Sequence, residues 1–184
     1  MKATNMKRLK IIVTGGAGFI GSHVAEAYLR AGHRVTVIDN LANGARRNVP
    51  RGATFIKADV RDFAKIARIF KSVKPDIVNH HAALISVGDS MKNPSAMYET
   101  NVIGTANVLC AGGAVGVSKF MFPSSAAVYG DPRKIPTDET SPLSPLSPYG
   151  ISKALGEELV KYSAQMFGFS SLILRYANVY GPRQ

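Results

Sequence analysis

Six short apolar runs recur along the chain, most of them rich in β-branched residues: LKIIVTGG, HRVTVIDN, ATFIKADV, PDIVNHHAA, SKFMFPSSA and SSLILRYAN. Each stops at turn-forming residues within a strand's length, so all six are predicted strands. Between them, at about 19–31, 62–73, 94–115 and 148–168, apolar residues take up helical spacing. In DFAKIARIFKSVK, for example, Phe63, Ile66, Ile69, Phe70 and Val73 share one side, while Arg61, Lys65, Arg68 and Lys71 fall on the other. Strands alternating with helices predict an α/β domain over 1–184, a doubly wound parallel sheet between two helical layers. The rhythm breaks once. DPRKIPTDETSPLSPLSP (131–148) is rich in proline, which neither a central strand nor a helix interior tolerates. It reads as a surface loop that delivers the chain to Pro148 in the first turn of the last helix.

Composition changes this picture little. The chain is 46% apolar and 19% charged, the balance of a globular domain. No apolar run reaches the ~20 residues of a membrane span. The basic start, MKATNMKRLK, lacks the longer apolar run and cleavage site of a secretory signal. A single cysteine, Cys110, permits no internal disulfide and fits a reducing cytoplasm. Charge is lopsided: of a net +11, all falls in 1–74, with 15 Lys/Arg against 4 Asp/Glu, while 75–184 balance. The basic side of 62–73 predicts a solvated helix face. It leaves open contact with RNA or another polyanion, although no nucleic-acid-binding signature accompanies it.

Candidate chemistry begins in VTGGAGFIGSHVAEAYLRAGH, a strand, a glycine-rich turn and a helix in succession. Gly15, Gly18 and Gly21 follow G-x-x-G-x-x-G, one residue looser at the front than the common dinucleotide fingerprint. Glycines permit the tight turn and let backbone N–H groups approach a pyrophosphate, which the helix N-terminus then faces. Gly15, Gly18, Phe19, Ile20 and Gly21 are therefore candidate cofactor contacts, and the sheet is expected to be of Rossmann type. Asp39, with Asn40 after it, closes the second run. An acid there accepts from ribose hydroxyls and repels a 2′-phosphate, favouring NAD over NADP; Arg46 and Arg47 lie close enough in sequence to meet a phosphate instead. Asp59 and Val60 close the third run as candidate adenine contacts, Asp59 alternatively as N-cap of the helix at 62–73. His80 and His81 raise the question of a metal. Adjacent strand residues point to opposite faces and no third ligand is at hand, so none is expected.

The last predicted helix opens with SPYGISK, which sets Tyr149 and Lys153 four residues apart on one face. TGGAGFIGS, VIDNLANG, NHHAA, NVIGTANVL, FPSSAAVYG, SPYGISK and LRYANVYGP stand in order along essentially the whole chain. Together they resemble the extended short-chain dehydrogenase/reductase family, in particular its NAD-dependent epimerase/dehydratase group and the UDP-glucose 4-epimerases within it. The resemblance implies a catalytic set of Ser125, three residues before the valine of VYG, with Tyr149 and Lys153 as the Y-x-x-x-K pair. Tyr149 would take the proton of a sugar hydroxyl as hydride leaves for NAD, Ser125 would hold the substrate oxygen, and Lys153 would reach the nicotinamide ribose. A tyrosine of pKa ~10 is a poor base at neutral pH. The ammonium of Lys153 and the positive nicotinamide are expected to lower it.

The same resemblance implies that His81, Ala82 and Ala83 pass over the cofactor. It implies too that Tyr176 meets the nicotinamide side, Asn178 the substrate diphosphate, and that Asn101 braces the active-site loop. Pro123 stands where many relatives have serine. Ala126 and Ala127 replace the Asp-Glu pair of related dehydratases and the glutamate of decarboxylating relatives, which points to an epimerase. The family continues beyond stretches like NVYGPRQ into a segment that grips the nucleotide sugar. The chain is thus expected to be a cofactor domain with its catalytic residues but without that substrate segment, pairing as a homodimer through helices near 94–115 and 148–168. Three functions remain: a nucleotide-sugar epimerase, an NAD-binding module without turnover of its own, and a polyanion- or RNA-associated relative.

Overall fold

The computed structural model describes residues 7–132 and 134–184. All six predicted strands form: β1 (Lys10–Thr14), β2 (Arg34–Asp39), β3 (Thr54–Lys57), β4 (Ile77–His80), β5 (Lys119–Ser125) and β6 (Ser170–Tyr176). They make one sheet in the order β3-β2-β1-β4-β5-β6, with every neighbouring pair parallel. Strand order reverses between β1 and β4. The carboxyl ends of the strands open there into the crevice where doubly wound sheets bind ligands.

The central strands read as continuous apolar runs because both faces are covered. Ile11 and Val13 of β1 join Val35 and Val37 of β2 against Ala25 of α1 (Phe19–Arg30). Ile12, pointing the other way, joins Ile38, Val78, Phe120 and Phe122 in a larger core. That core is closed by α2 (Phe63–Val73), α5 (Gly104–Ala114) and α6 (Pro148–Phe167). The result is the three-layer α/β/α arrangement expected.

Two helical stretches depart from the sequence pattern. The predicted helix over 94–115 is three pieces: α4 (Pro94–Tyr98), a π-helical turn over Glu99–Ile103, and α5. A further helix, α3 (Val87–Lys92), has no counterpart in the sequence pattern, because it buries only Ser90 and so shows no apolar periodicity. The cap of α2 is Asp62, whose carboxylate accepts from Lys65 N at 2.9 Å, so Asp59 is not the N-cap. At the start of α6, Ser147 Oγ accepts from Gly150 N at 3.1 Å and Pro148 fills the first turn; Gly168, with φ +74°, ends the helix. The proline-rich segment contains no helix or strand among its described residues before Pro148; Arg133 lies outside them.

Candidate active site

A cleft of about 890 Å³ runs across the carboxyl ends of the strands, within the usual range for a small-molecule site. Every residue singled out above as a cofactor, catalytic or substrate contact lines it: Gly15, Gly18, Phe19, Ile20, Gly21, Asp39, Asn40, Asp59, Val60, His81, Ala82, Ala83, Ser125, Tyr149, Lys153, Tyr176 and Asn178. Arg46 and Arg47 do not. Arg46 places its guanidinium 4.6 Å from the centroid of the Phe55 ring instead.

At one end the cleft is shaped by backbone. Gly15 has φ +66°, and a Cβ there would lie 2.6 Å from Ala82 N and from His81 C, so only glycine lets the turn after β1 pass the end of β4. A Cβ on Gly21 would meet Gly15 O at 2.3 Å, so its absence lets α1 close on the turn. Gly18 caps α1 without a side-chain hydrogen bond, which leaves the first-turn N–H groups free for an anion. Asp39 is held by two backbone donors, Ala17 N to Oδ2 at 3.0 Å and Leu41 N to Oδ1 at 2.8 Å. Its oxygens still have lone pairs for a pair of ribose hydroxyls. Asp59 accepts from Asn40 Nδ2 (2.9 Å) and from Arg61 Nε and Nη2 (2.9 and 2.8 Å), and these bonds from Arg61 hold its carboxyl far below the usual range. The segment after Asn40 folds back over this end, where Asn48 Nδ2 donates to Ala17 O at 3.1 Å. Asn48, Asn43 and Gly44 thus line the cleft, although sequence reasoning had not singled them out.

At the other end stand side chains with perturbed ionisation. Ser125 closes β5 and lies in register with Tyr176, which closes β6. Tyr149 and Lys153 come from the first turns of α6, with Lys153 Nζ 5.9 Å from the Tyr149 ring centroid. Lys153 is almost wholly buried, its Nζ donating to Pro123 O at 2.8 Å above the Phe122 ring. Burial pushes the Lys153 ammonium down to about 8, so it still carries charge at neutral pH. The expected fall in Tyr149 does not occur in the protein alone. Burial pushes its phenol up, and the Ser125 hydroxyl offsets only part of that. A cationic ring beside the phenol is the one favourable influence still to be added.

His80 and His81 do point apart. His80 is buried, with Nδ1 2.7 Å from Thr14 Oγ1 and Nε2 3.0 Å from Thr105 Oγ1. Because Thr105 gives its own proton to Asn101 O, it accepts from His80 Nε2–H, which assigns a neutral imidazole with Nδ1 as acceptor. Burial, then the charge of Lys153, hold His80 down to about 3 and His81 down to about 4. His81 Nε2 is buried with no partner among the described residues, a polar atom that a bound group could satisfy. Asn101 sits in the π-helical turn, exchanges hydrogen bonds with the backbone of Leu84 (2.8 and 2.9 Å), and donates to Ser152 Oγ at 3.0 Å. Ser152 in turn donates to Tyr149 O at 2.7 Å. Among the described residues no cluster of three or more His, Cys, Asp or Glu is placed to hold a metal.

An uncapped helix N-terminus, glycines that exclude a Cβ, an acid at the end of β2 and an orphaned imidazole nitrogen all fit a dinucleotide lying along the cleft. Comparison with known proteins agrees. UDP-glucose 4-epimerase of Thermotoga maritima, solved with UDP-glucose, superposes with a TM-score of 0.93 at 43% identity, over 96% of this chain and 58% of that one. The Thermus thermophilus enzyme, solved with NAD, gives 0.92 at 44% identity, over 96% and 57%. The Rhizobium meliloti UDP-glucose 4-epimerase is 40% identical over 176 residues, 96% of this chain and 53% of its own length. The chain therefore spans little more than half the length of these relatives. Residues 11–184 match the NAD dependent epimerase/dehydratase family throughout, and the chain belongs to that family.

Proposed function

We propose that this chain is the cofactor-binding and catalytic portion of an NAD-dependent nucleotide-sugar epimerase acting on UDP-glucose, UDP-galactose or a close analogue. The observation that carries the proposal is the convergence of Ser125, Tyr149 and Lys153 at one end of a cleft whose other end suits adenosine diphosphate. NAD supplies the hydride acceptor, and afterwards the donor that restores the opposite configuration. The chain's own residues manage the proton. The Tyr149 oxygen takes it from the sugar hydroxyl and later returns it, while Ser125 donates to the same substrate oxygen as charge develops there. Lys153, cationic and shielded from water, steadies the phenolate. Ala126 and Ala127 offer no carboxylate for eliminating water or assisting loss of carbon dioxide, so reversible oxidation is the chemistry that remains. Asp39 selects NAD, and Asn178 stands where a substrate diphosphate would pass.

Exposed Ile103, Ile151 and Leu155, grouped with Tyr98 and Val102 in a shallow groove between the π-helical turn and α6, support the homodimer contact expected for these helices. Exposed, unpaired Cys110 suits a cytoplasmic setting. A second reading is an NAD-binding module without turnover of its own.

Purified protein incubated with NAD and UDP-galactose or UDP-glucose, followed by NMR of the anomeric protons, separates these readings. Interconversion that falls by on the order of 10³ in Tyr149→Phe is the expected result. Interconversion unaffected by that change contradicts the assignment of Tyr149, and NAD binding without conversion supports the second reading.

A further inference from the structure

Lys153 and Glu157 lie one helical turn apart on α6, a spacing at which an ammonium and a carboxylate ordinarily pair. Here they do not. Lys153 Nζ donates to Pro123 O at 2.8 Å, and both carboxylate oxygens of Glu157 are engaged elsewhere. Oε1 accepts from Ser124 Oγ and from Arg175 Nε at 2.9 Å; Oε2 accepts from Arg175 Nη2 at 2.7 Å. Arg175, on β6, is itself fixed: Nη1 donates to Tyr129 OH at 2.7 Å and to Glu139 O at 3.2 Å, with the guanidinium 4.9 Å from the Tyr129 ring centroid. Glu157 is 1% exposed and Lys153 5%. A carboxylate so buried is strongly disfavoured unless paired. Two ammonium groups lie one turn from it on α6: Lys161, whose charge already acts on Glu157 but whose Nζ pairs with Glu158 at 2.7 Å, and Lys153, which has no carboxylate partner.

We propose that Arg175 is a positioning residue for the Lys153–Tyr149 pair: by occupying both oxygens of Glu157 it denies that carboxylate to Lys153 and leaves the ammonium at the cleft. Captured by Glu157, Lys153 would lose its hold on Pro123 O, and its field at Tyr149 would be cancelled. The other titratable groups facing Lys153 are His80 and His81 from the end of β4, both neutral, and the Tyr149 phenol on its own helix. None of them competes for the ammonium as a carboxylate does.

The proposal rests on Lys153 being the partner of Tyr149, but its test reads Lys153 directly and needs neither NAD nor turnover. Lysines labelled with ¹³C at Cε are titrated by NMR in the unaltered protein, in Arg175→Met and in Arg175→Met/Glu157→Gln, with the Lys153 signal identified by its loss in Lys153→Met. From its starting point at about 8, the Lys153 midpoint is expected to rise by about one pH unit or more in Arg175→Met, as a new carboxylate partner demands. It should return towards the starting value in the double variant. A role in packing alone would leave the double variant as disturbed as the single one. An unchanged midpoint in Arg175→Met, or a raised one that the double variant keeps, overturns the proposal. Should Arg175→Met fail to fold, Arg175→Lys is titrated instead, because one ammonium cannot span both oxygens as a guanidinium does. A smaller rise, again reversed by Glu157→Gln, is expected, and the same two results overturn. The Lys153–Tyr149 pairing itself is judged separately, by the effect of Tyr149→Phe on turnover.

Discussion

The two ends of the cleft are built on different principles. Around Gly15, Gly21 and Asp39 the work is done by backbone: turns too tight for a Cβ, an uncapped helix terminus, and a carboxylate oriented by main-chain N–H groups. Around Lys153 it is done by ionisable side chains, His80 and Glu157 buried and His81 and Arg175 half-buried. The first end is shaped by main-chain geometry. The second holds charges and neutral imidazoles in surroundings that disfavour protonation, a cost in stability of the kind active sites carry. Changes at the two ends should therefore differ in kind.

Lys153→Met gives the largest contrast. Turnover is expected to fall by on the order of 10³, while unfolding free energy at pH 7 rises by about 1–3 kcal/mol, since a buried amine held at about 8 is replaced by an apolar chain. The unaltered protein should also gain stability as pH rises from about 8 towards the ordinary lysine value, because there the unfolded chain binds the extra proton; the variant should not. Denaturant melts and the NMR assay together check both statements. Lower stability in the variant would mean that the ammonium is not a burden on the fold.

Acid should expose the same end of the site. Folded, His80 and His81 take up protons only near 3 and 4, whereas unfolded they do so near 6.5. The unfolded chain therefore binds more protons as pH falls below about 6.5, and stability drops with it. Between pH 7 and pH 4 the loss from His80 alone should be about 3 kcal/mol, and denaturant midpoints across that range measure it. A flat profile would remove the imidazoles from the account.

At the backbone end, Gly21→Ala should weaken NAD binding by about tenfold to a hundredfold, because a Cβ 2.3 Å from Gly15 O must displace the turn. Calorimetry on the folded variant checks this, and near-normal affinity would show that the turn adapts. Asp39→Asn is the smallest change. Removing the charge that repels a 2′-phosphate should raise affinity for NADP relative to NAD by about tenfold, measured with the two cofactors side by side.

The same division governs what could be read in the sequence. The backbone end was legible because it is local: three glycines and an aspartate follow one another within a single strand–helix–strand unit, and their chemistry depends on main-chain geometry. The strands were legible because burial on both faces leaves uninterrupted β-branched runs. At the other end, Tyr149 and Lys153 could be found through their spacing, and Ser125 through family likeness. Their surroundings could not. Nothing near Glu157 in sequence announces Arg175, and nothing near His80 announces Thr105, because those pairings exist only once α5, α6 and β6 pack against the sheet. That is also why Tyr149, expected low, is held high: the ammonium is visible in the sequence, whereas the burial that outweighs the Ser125 hydroxyl is not. α3 escaped for a simpler reason, having almost no buried face to betray it.

The most direct test is an ultraviolet difference titration of the Tyr149 phenol, taken as the unaltered protein minus Tyr149→Phe, with and without saturating NAD. Without NAD the Tyr149 midpoint should lie above the ordinary tyrosine value, as burial dictates. With NAD it should fall below that value, because a cation has been added beside a buried phenol already facing Lys153. A midpoint that NAD leaves unmoved, in protein shown by calorimetry to have bound it, would contradict the assignment of Tyr149 as the base of an NAD-dependent reaction.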